Sequence, residues 1–233
     1  MEKMMMLCCI AMAATISLWA ETEKVNGYTW TYRINGDEAE IYGDINLGCD
    51  RMRPSISPRP KGFVKIPSLL GGKPVTIIGE AAFGDCEEIT GVSIPKSVTS
   101  IEKYAFFNCI KLQNVKLPSG LTSIGDDAFA RCFELKHITI PNGVTIIGNC
   151  AFLNCSLLGL KIPSSVIGIG DQAFAGNNTL RGAMMPKRFK TEKSRIFVDR
   201  YGSCRDLNIS YPDEQEVIIR HTDSQERGMR YGW

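Results

Sequence analysis

Apolar and polar residues follow one another in an order that returns at a fixed interval along the middle of the chain. The stretch SVTSIEKYAFFNCIKLQNVKLP, residues 97–118, is followed by SGLTSIGDDAFARCFELKHITIP, with the same order of residue types 23 positions on. The most regular markers are Ala-Phe pairs, whose phenylalanines are Phe83, Phe106, Phe129, Phe152 and Phe174. Their spacing of 23, 23, 23 and 22 residues predicts a solenoid in which each repeat forms one coil and buries its apolar side against its neighbours.

Each repeat divides into three parts. The segment LQNVKLP alternates with period two, so Leu112, Val115 and Leu117 face one way, and a short parallel strand is predicted. The segment LTSIG or VTIIG supplies two more apolar residues on the return side. The segment DDAFARC indicates a short turn of helix that places Phe129 and Cys132 inward. Stacking then forms ladders of phenylalanine, isoleucine and cysteine, and burial of one Phe or Leu stabilises the fold by roughly 1.5–3 kcal/mol.

The repeated pattern IPxxVTxIGxxAFxxCxxLxxVxIP resembles the BspA-like leucine-rich-repeat family of bacterial cell-surface and secreted proteins, over residues 62–186. Residues 26–44 resemble the strand pair that precedes such arrays, and residues 197–212 resemble their closing half-repeat. The expected architecture is an α/β solenoid, a right-handed coil of about five 23-residue repeats with short parallel strands and a small β cap before it and a cap after it. The resemblance implies an extracellular interaction scaffold, since some members act as adhesins, and it specifies no ligand.

The first twenty residues, MEKMMMLCCIAMAATISLWA, have one lysine and then an uncharged run that ends at Ala20. This pattern is typical of a secretory signal peptide. A membrane anchor is the alternative, although the run of 17 residues is at the short limit for crossing a bilayer. We therefore expect a signal peptide over residues 1–20, an N-terminal β cap and linker over 21–61, the repeats over 62–186, and a C-terminal cap strand and polar tail over 187–233.

Composition excludes some function classes. A net charge of +2 is too small to favour a nucleic-acid partner. The chain has only two histidines, His137 and His221, which limits acid-base and metal chemistry. No Ser or Cys nucleophile has a base that the repeat geometry brings near it, and the glycine pairs lack the strand-to-helix context of a phosphate loop. We therefore expect no catalytic residues, no metal site and no cofactor.

Cysteines are the chemical feature that remains. The aligned cysteines Cys86, Cys109, Cys132 and Cys155 are expected about 4.8 Å apart, a spacing that also permits disulfides. Buried thiols acting as small apolar groups are the other interpretation, and it is supported by Asn177, which takes the same position in the last repeat.

Three cysteines of the expected mature chain lie outside this series. Cys150 occupies a position that varies between repeats and should face solvent. It is therefore either an exposed reactive thiol or a neutral substitution. Cys49 and Cys204 lie beyond opposite ends of the array, on the order of 25 Å apart, which disfavours a bridge between them.

The outward row of the strands is the surface on which we expect a ligand. Read repeat by repeat, it is Lys65, Ser93, Lys116, Thr139, Lys161 and Met184, with Asn114, Lys136, His137 and Arg181 beside it. Our candidate ligand-binding residues are Lys65, Asn114, Lys116, Lys136, His137, Lys161 and Arg181. This mildly basic stripe would complement carboxylates, sulfates or an acidic protein surface, but its lysines could equally serve only to keep a solvated face soluble.

Three functions remain open from the sequence. The first is a secreted or cell-surface scaffold that binds an extracellular protein or glycan through the strands without catalysis, and this is the prediction we carry forward. The second is a structural or assembly protein of the cell envelope with no saturable ligand. The third, an enzyme, is disfavoured because it requires a cleft with converging polar groups. The ligand, the oligomeric state and the mode of attachment are not specified by the sequence.

Overall fold

The computed structural model describes residues 20–45, 52–198, 204 and 207–212. In chain order, the strands are β1 Glu21–Val25, β2 Tyr28–Asn35, β3 Glu38–Ile41, β4 Ile56–Ser57, β5 Gly62–Lys65, β6 Leu69–Leu70, β7 Lys73–Ile78, β8 Ile89–Ser93, β9 Ser100–Ile101, β10 Asn114–Lys116, β11 Ser123–Ile124, β12 Ile146–Ile147, β13 Gly159–Lys161, β14 Gly168–Ile169, β15 Gly182–Met184 and β16 Asn208–Ser210. A 3-10 helix, Lys187–Glu192, and α1, Lys193–Phe197, stand between β15 and β16.

The strands form the predicted solenoid. We number as coils 1 to 5 the five repeats that each end at a proline, over residues 75–95, 98–118, 121–141, 144–163 and 166–186. Each coil contributes a short strand to a back sheet, in which β3, β7, β9, β11, β12 and β14 are parallel neighbours in that order. The inward isoleucines of the coils are buried along this sheet as Ile78, Ile101, Ile124, Ile147 and Ile169.

The strands that precede the prolines lie on the front. They form two separate parallel sheets, one with the order β10-β8-β5 and one with the order β13-β15-β16. Coil 3 contributes a back strand but no front strand, so the front sheet is divided at that coil.

The predicted turn of helix between the back and front strands is not formed. The segment DDAFARC is a turn in which Asp127 and Arg131 have left-handed φ angles of 52° and 63°. Two left-handed residues occur in the same places in every coil, the second being a glycine in coil 5. Because a right-handed helix cannot contain them, the chain turns sharply twice. The phenylalanine between the two bends and the cysteine directly after the second bend still point inward.

A stack of phenylalanines runs through the core. Neighbouring rings from Phe83 to Phe174 have centroids 5.0, 5.1, 5.3 and 5.2 Å apart, with planes within 8° of parallel. Phe197 of α1 extends the stack at 5.8 Å from Phe174, so the solenoid has a sixth ring after the five that the Ala-Phe pairs predict.

Both ends of the stack are covered. Trp30 of β2 is fully buried, and its ring meets Phe83 edge to face with centroids 6.1 Å apart. Strands β1, β2 and β3 form the predicted N-terminal β cap, and β3 continues into the back sheet. At the other end, α1 follows the last complete coil and β16 pairs with β15. Within the described residues, no helix is long and apolar enough to cross a membrane.

Candidate ligand-binding face

The exposed side of the front strands, which we call the strand face, carries two outward rows of side chains. The first row is Phe63, Gly91, Asn114, His137, Gly159 and Gly182, and the second is Lys65, Ser93, Lys116, Thr139, Lys161 and Met184. Neither row contains an aspartate or a glutamate. All seven residues predicted from the sequence to bind ligand are exposed. No ion pair of the described residues includes the three lysines of the second row.

The register of the strands brings some of these residues together and separates others. Lys65 and Lys116 both align with Ser93, one on each side of it, so their Cα atoms are about 10 Å apart at two strand spacings. Lys161 aligns with Met184 in the other front sheet, and Arg181 directly precedes that strand. The predicted stripe is therefore two basic groups rather than one continuous row.

Coil 3 lies between these two groups. The strand that we predicted over KHITIP, residues 136–141, is not formed, although Lys136 and His137 are exposed as expected. The segment keeps the alternation, since Ile138 and Ile140 are buried, but alternation sets only the direction of side chains and does not guarantee paired backbone groups. The backbone hydrogen bonds that this coil makes to coil 4 here are Ser156 N to Leu135 O, 3.2 Å, and Leu158 N to Lys136 O, 3.1 Å.

Sequence reasoning missed Phe63, the most exposed aromatic residue on the strand face, with 65% of its surface accessible. It stands four residues before Pro67, as Gly91 and Asn114 stand before Pro95 and Pro118. This shared position in the repeat was the sequence signal that Phe63 faces outward.

Three of the four ladder cysteines are hydrogen-bonded thiols. Cys109, Cys132 and Cys155 each donate to the carbonyl of the phenylalanine in the preceding coil, at 3.2, 3.3 and 3.2 Å. None of the ladder cysteines forms a disulfide. Burial raises the pKa of Cys86 and of Cys155 to about 12, so these sulfurs stay protonated and unreactive near neutral pH. The interpretation as buried packing groups is therefore confirmed.

Cys150 shows no sign of activation. Cys150 is half-buried, and burial together with the nearby carboxylates of Asp127, Asp126 and Asp171 raises its pKa. A reactive thiol requires the opposite shift. The Sγ atom of Cys204 lies 3.6 Å from the carbonyl oxygens of Phe174 and Asn177. Cys49 lies outside the described residues.

A cluster of cations and aromatic rings lies on the turn side and was also missed. Lys103 stands over the ring of Tyr104 at 4.7 Å, and Arg131 lies 5.9 Å from the ring of Phe107 and 6.0 Å from that of Phe133. Of these contacts, the one between Arg131 and Phe107 links neighbouring coils at the surface. Over residues 20–45, 52–198, 204 and 207–212, no group of three or more His, Cys, Asp or Glu residues could hold a metal ion.

The model of the BspA type leucine-rich repeat region matches residues 64–202 in six copies. The chain belongs to this family. The matched range includes Phe197, the sixth ring of the stack.

Two solved structures are similar to this leucine-rich-repeat chain. The T. pallidum leucine-rich repeat protein has a TM-score of 0.63 and 24% identity, with 82% of this chain and 92% of that one covered. A leucine-rich repeat protein from Bacteroides ovatus has a TM-score of 0.59 and 26% identity, over 78% of this chain and 52% of that one, so this chain spans about half of its length. Among the curated proteins no match was found.

Proposed function

We propose that this leucine-rich-repeat protein is a secreted or cell-surface scaffold that binds an extracellular protein or glycan through its strand face and performs no catalysis. The expected signal peptide over residues 1–20 supports export, and the family resemblance supports a place outside the cell.

The observation that carries the proposal is the charge on the strand face. Lys65, Lys116 and Lys161 are exposed, belong to no ion pair of the described chain, and lie in rows without a carboxylate. Elsewhere, Lys73, Lys111 and Arg195 are paired with Asp37, Glu88 and Asp171. Two groups of exposed ammonium groups without ion-pair partners, one on each front sheet, complement an acidic ligand.

The test is capture of extracellular glycoproteins and glycans by the protein at two salt concentrations. The triple variant Lys116→Ala, His137→Ala, Lys161→Ala should lose at least about tenfold in affinity. Its melting temperature should be unchanged, because all three side chains are exposed. Since exposed charges are screened by salt, capture by the unaltered protein should weaken as salt rises.

The matched control removes three exposed cations away from the strand face, with Lys96→Ala, Lys103→Ala and Lys190→Ala. Capture should survive these changes. If the triple variant of the strand face captures as well as the unaltered protein, the proposal is wrong for this face. If no saturable ligand is found at either salt concentration, the role as a structural protein of the envelope is favoured instead.

A further inference from the structure

Phe63 is a large apolar side chain in a place where the fold does not bury it. Its ring lies against the backbone of Gly91, because its Cδ2 and Cε2 atoms are 2.8 and 3.2 Å from the point where a Cβ atom of residue 91 would stand. A side chain on Gly91 would displace the ring. The ring is therefore held at one edge, while 65% of the residue is open to solvent.

A β-bulge lies next to Phe63 at the start of β5. The register of β5 against β8 shifts between Gly62 and Phe63, so that Gly62 pairs with Ile89 and Phe63 pairs with Gly91. Gly62 has a φ angle of +68°, which glycine adopts without strain. Bulges re-aim side chains and are frequent beside functional sites.

Polar residues neighbour this ring on the strand face. Gly91, which lies under the ring, pairs on its other side with Asn114. In the adjacent row, Ser93 lies between Lys65 and Lys116. The surface thus presents an aromatic ring, an amide, a hydroxyl and two ammonium groups, and we call these five residues the Phe63 site.

We propose that the Phe63 site binds a sugar ring that carries a carboxylate or sulfate group. This inference rests on the proposed function and assigns that function a ligand class. The C–H groups of a sugar's flat face carry partial positive charge and pack on the electron-rich face of an aromatic ring. The amide of Asn114 and the hydroxyl of Ser93 can both donate to and accept from sugar hydroxyls. The lysines supply point charges for the anionic group.

The chemistry of the site favours a glycan over a protein surface. The core of a protein interface is a cluster of apolar side chains from which water is excluded. Here the single apolar side chain of the five is that of Phe63, and its partner under the ring is a glycine. One ring among polar groups is suited to one sugar unit.

The experiment uses 3′-sialyllactose and lactose, which differ only in the acidic sugar, with binding followed by ligand-observed NMR. The protein should bind sialyllactose at least about tenfold more tightly than lactose. Phe63→Ala should weaken sialyllactose binding about tenfold. Lys65→Gln combined with Lys116→Gln should remove the preference for sialyllactose over lactose and also its dependence on salt.

Matched controls separate the site from general surface effects. Phe133→Ala removes another exposed phenylalanine, and Lys96→Gln removes a lysine away from the strand face. Both variants should bind as the unaltered protein does. Gly91→Ala should weaken binding by moving the Phe63 ring, whereas Gly120→Ala should not, since its new Cβ would meet only Lys96 O at 3.7 Å. A melting temperature for each variant confirms that it is folded.

Several results would overturn the inference. Equal affinity for lactose and sialyllactose would exclude selection of an acidic sugar. Unchanged binding by Phe63→Ala would show that the aromatic ring does not contact the sugar. Absence of binding both to sialyllactose and to a chondroitin sulfate disaccharide at millimolar concentration would exclude the ligand class. In that last case, the proposed function still stands if the triple variant of the strand face loses capture of a glycoprotein, and it also fails if that variant captures normally.

Discussion

The turn side and the strand face of the same coils differ in regularity. On the turn side, the backbone N–H of each phenylalanine from Phe83 to Phe152 donates to the alanine carbonyl of the next coil at 2.7 or 2.8 Å, and that of Phe174 donates to Ile196 at 3.0 Å. On the strand face, the pairing of front strands is interrupted at coil 3, between β10 and β13. Backbone hydrogen bonds between coils therefore continue through every coil on the turn side, but not on the strand face.

This difference has a physical cause in where the side chains point. Residues of the turn side face the stack of rings, where each ring touches its equivalents above and below, so a change in one coil disturbs two neighbours. Outward residues of the strand face touch little of the core, and the first row accordingly contains Phe, Gly, Asn and His in equivalent places. The inward side chains of each coil therefore carry the stability, and the outward row of the strand face is free to vary.

The largest expected effect tests this division within one coil. Phe129→Ala removes a fully buried ring that stacks on two others, so we expect a loss of about 3–5 kcal/mol in the free energy of unfolding. His137→Ala, an exposed change on the strand face of the same coil, should cost less than about 0.5 kcal/mol. Urea denaturation of both variants measures the difference. Comparable losses for the two variants would contradict the division.

Much of this division could be predicted from the sequence. The repeat interval of 23 or 22 residues predicted the stack, the thiol ladder and the strand face, because an inward or outward position must recur in every coil of a solenoid. The paired left-handed residues were not predicted, since residues such as Tyr104 and Gln172 do not signal a positive φ angle. The strand predicted in coil 3 was wrong because the side-chain pattern does not report backbone pairing.

The candidate site was predicted only in part. Exposure of Lys65, Asn114, Lys116, His137 and Lys161 follows from the alternation, and the structure agrees. Lys136 and Arg181, which flank the rows, are exposed as well. Their role in binding stays a prediction. Phe63 holds the same place before its proline as Asn114, so its outward position could be predicted. Its contact with Gly91 could not, because the repeat pattern does not report how a side chain packs on the neighbouring strand.

Asn177 provides the second test, because it occupies the ladder position of a cysteine in the coil that follows a shortened one. Leucine N–H groups equivalent to Leu157 bond within their own turn, as Leu135 N does to Cys132 O. Coil 4 is one residue short after Cys155, and Leu157 N instead donates to Asn177 Oδ1 at 3.1 Å. The Nδ2 group donates to Phe152 O and Phe174 O, both at 2.8 Å.

This double role predicts that Asn177→Ala costs about 1–3 kcal/mol, since it leaves buried backbone groups unpaired. Asn177→Cys should cost less, because a thiol can donate to Phe152 O as the other ladder cysteines do but cannot readily replace the amide oxygen. Insertion of one lysine between Ser156 and Leu157 restores the 23-residue interval. In that background Asn177→Cys should be nearly neutral. A thermodynamic cycle from urea denaturation gives the coupling, and a coupling of zero would show that the short coil does not explain Asn177.

The smallest expected effects are two gains in the free energy of unfolding. On the turn side the gain comes from introducing a glycine, and on the strand face it comes from removing one. Gln172 is exposed on the turn side with a φ angle of 55°, and glycine relieves that strain. Gly159 lies in strand β13, and a Cβ there would meet nothing within 4 Å, so alanine restricts the unfolded chain without a clash. Gln172→Gly and Gly159→Ala should therefore each raise the free energy of unfolding by about 0.5 kcal/mol.

Both gains are to be measured by urea denaturation beside Lys96→Gly, an exposed change where φ is not positive, which should lower stability slightly. If Gln172→Gly is as destabilising as Lys96→Gly, the left-handed positions are not strained, and the regularity of the turn side comes from its hydrogen bonds alone. A loss for Gly159→Ala would mean instead that the strand face is more constrained by its neighbours than its open surface indicates.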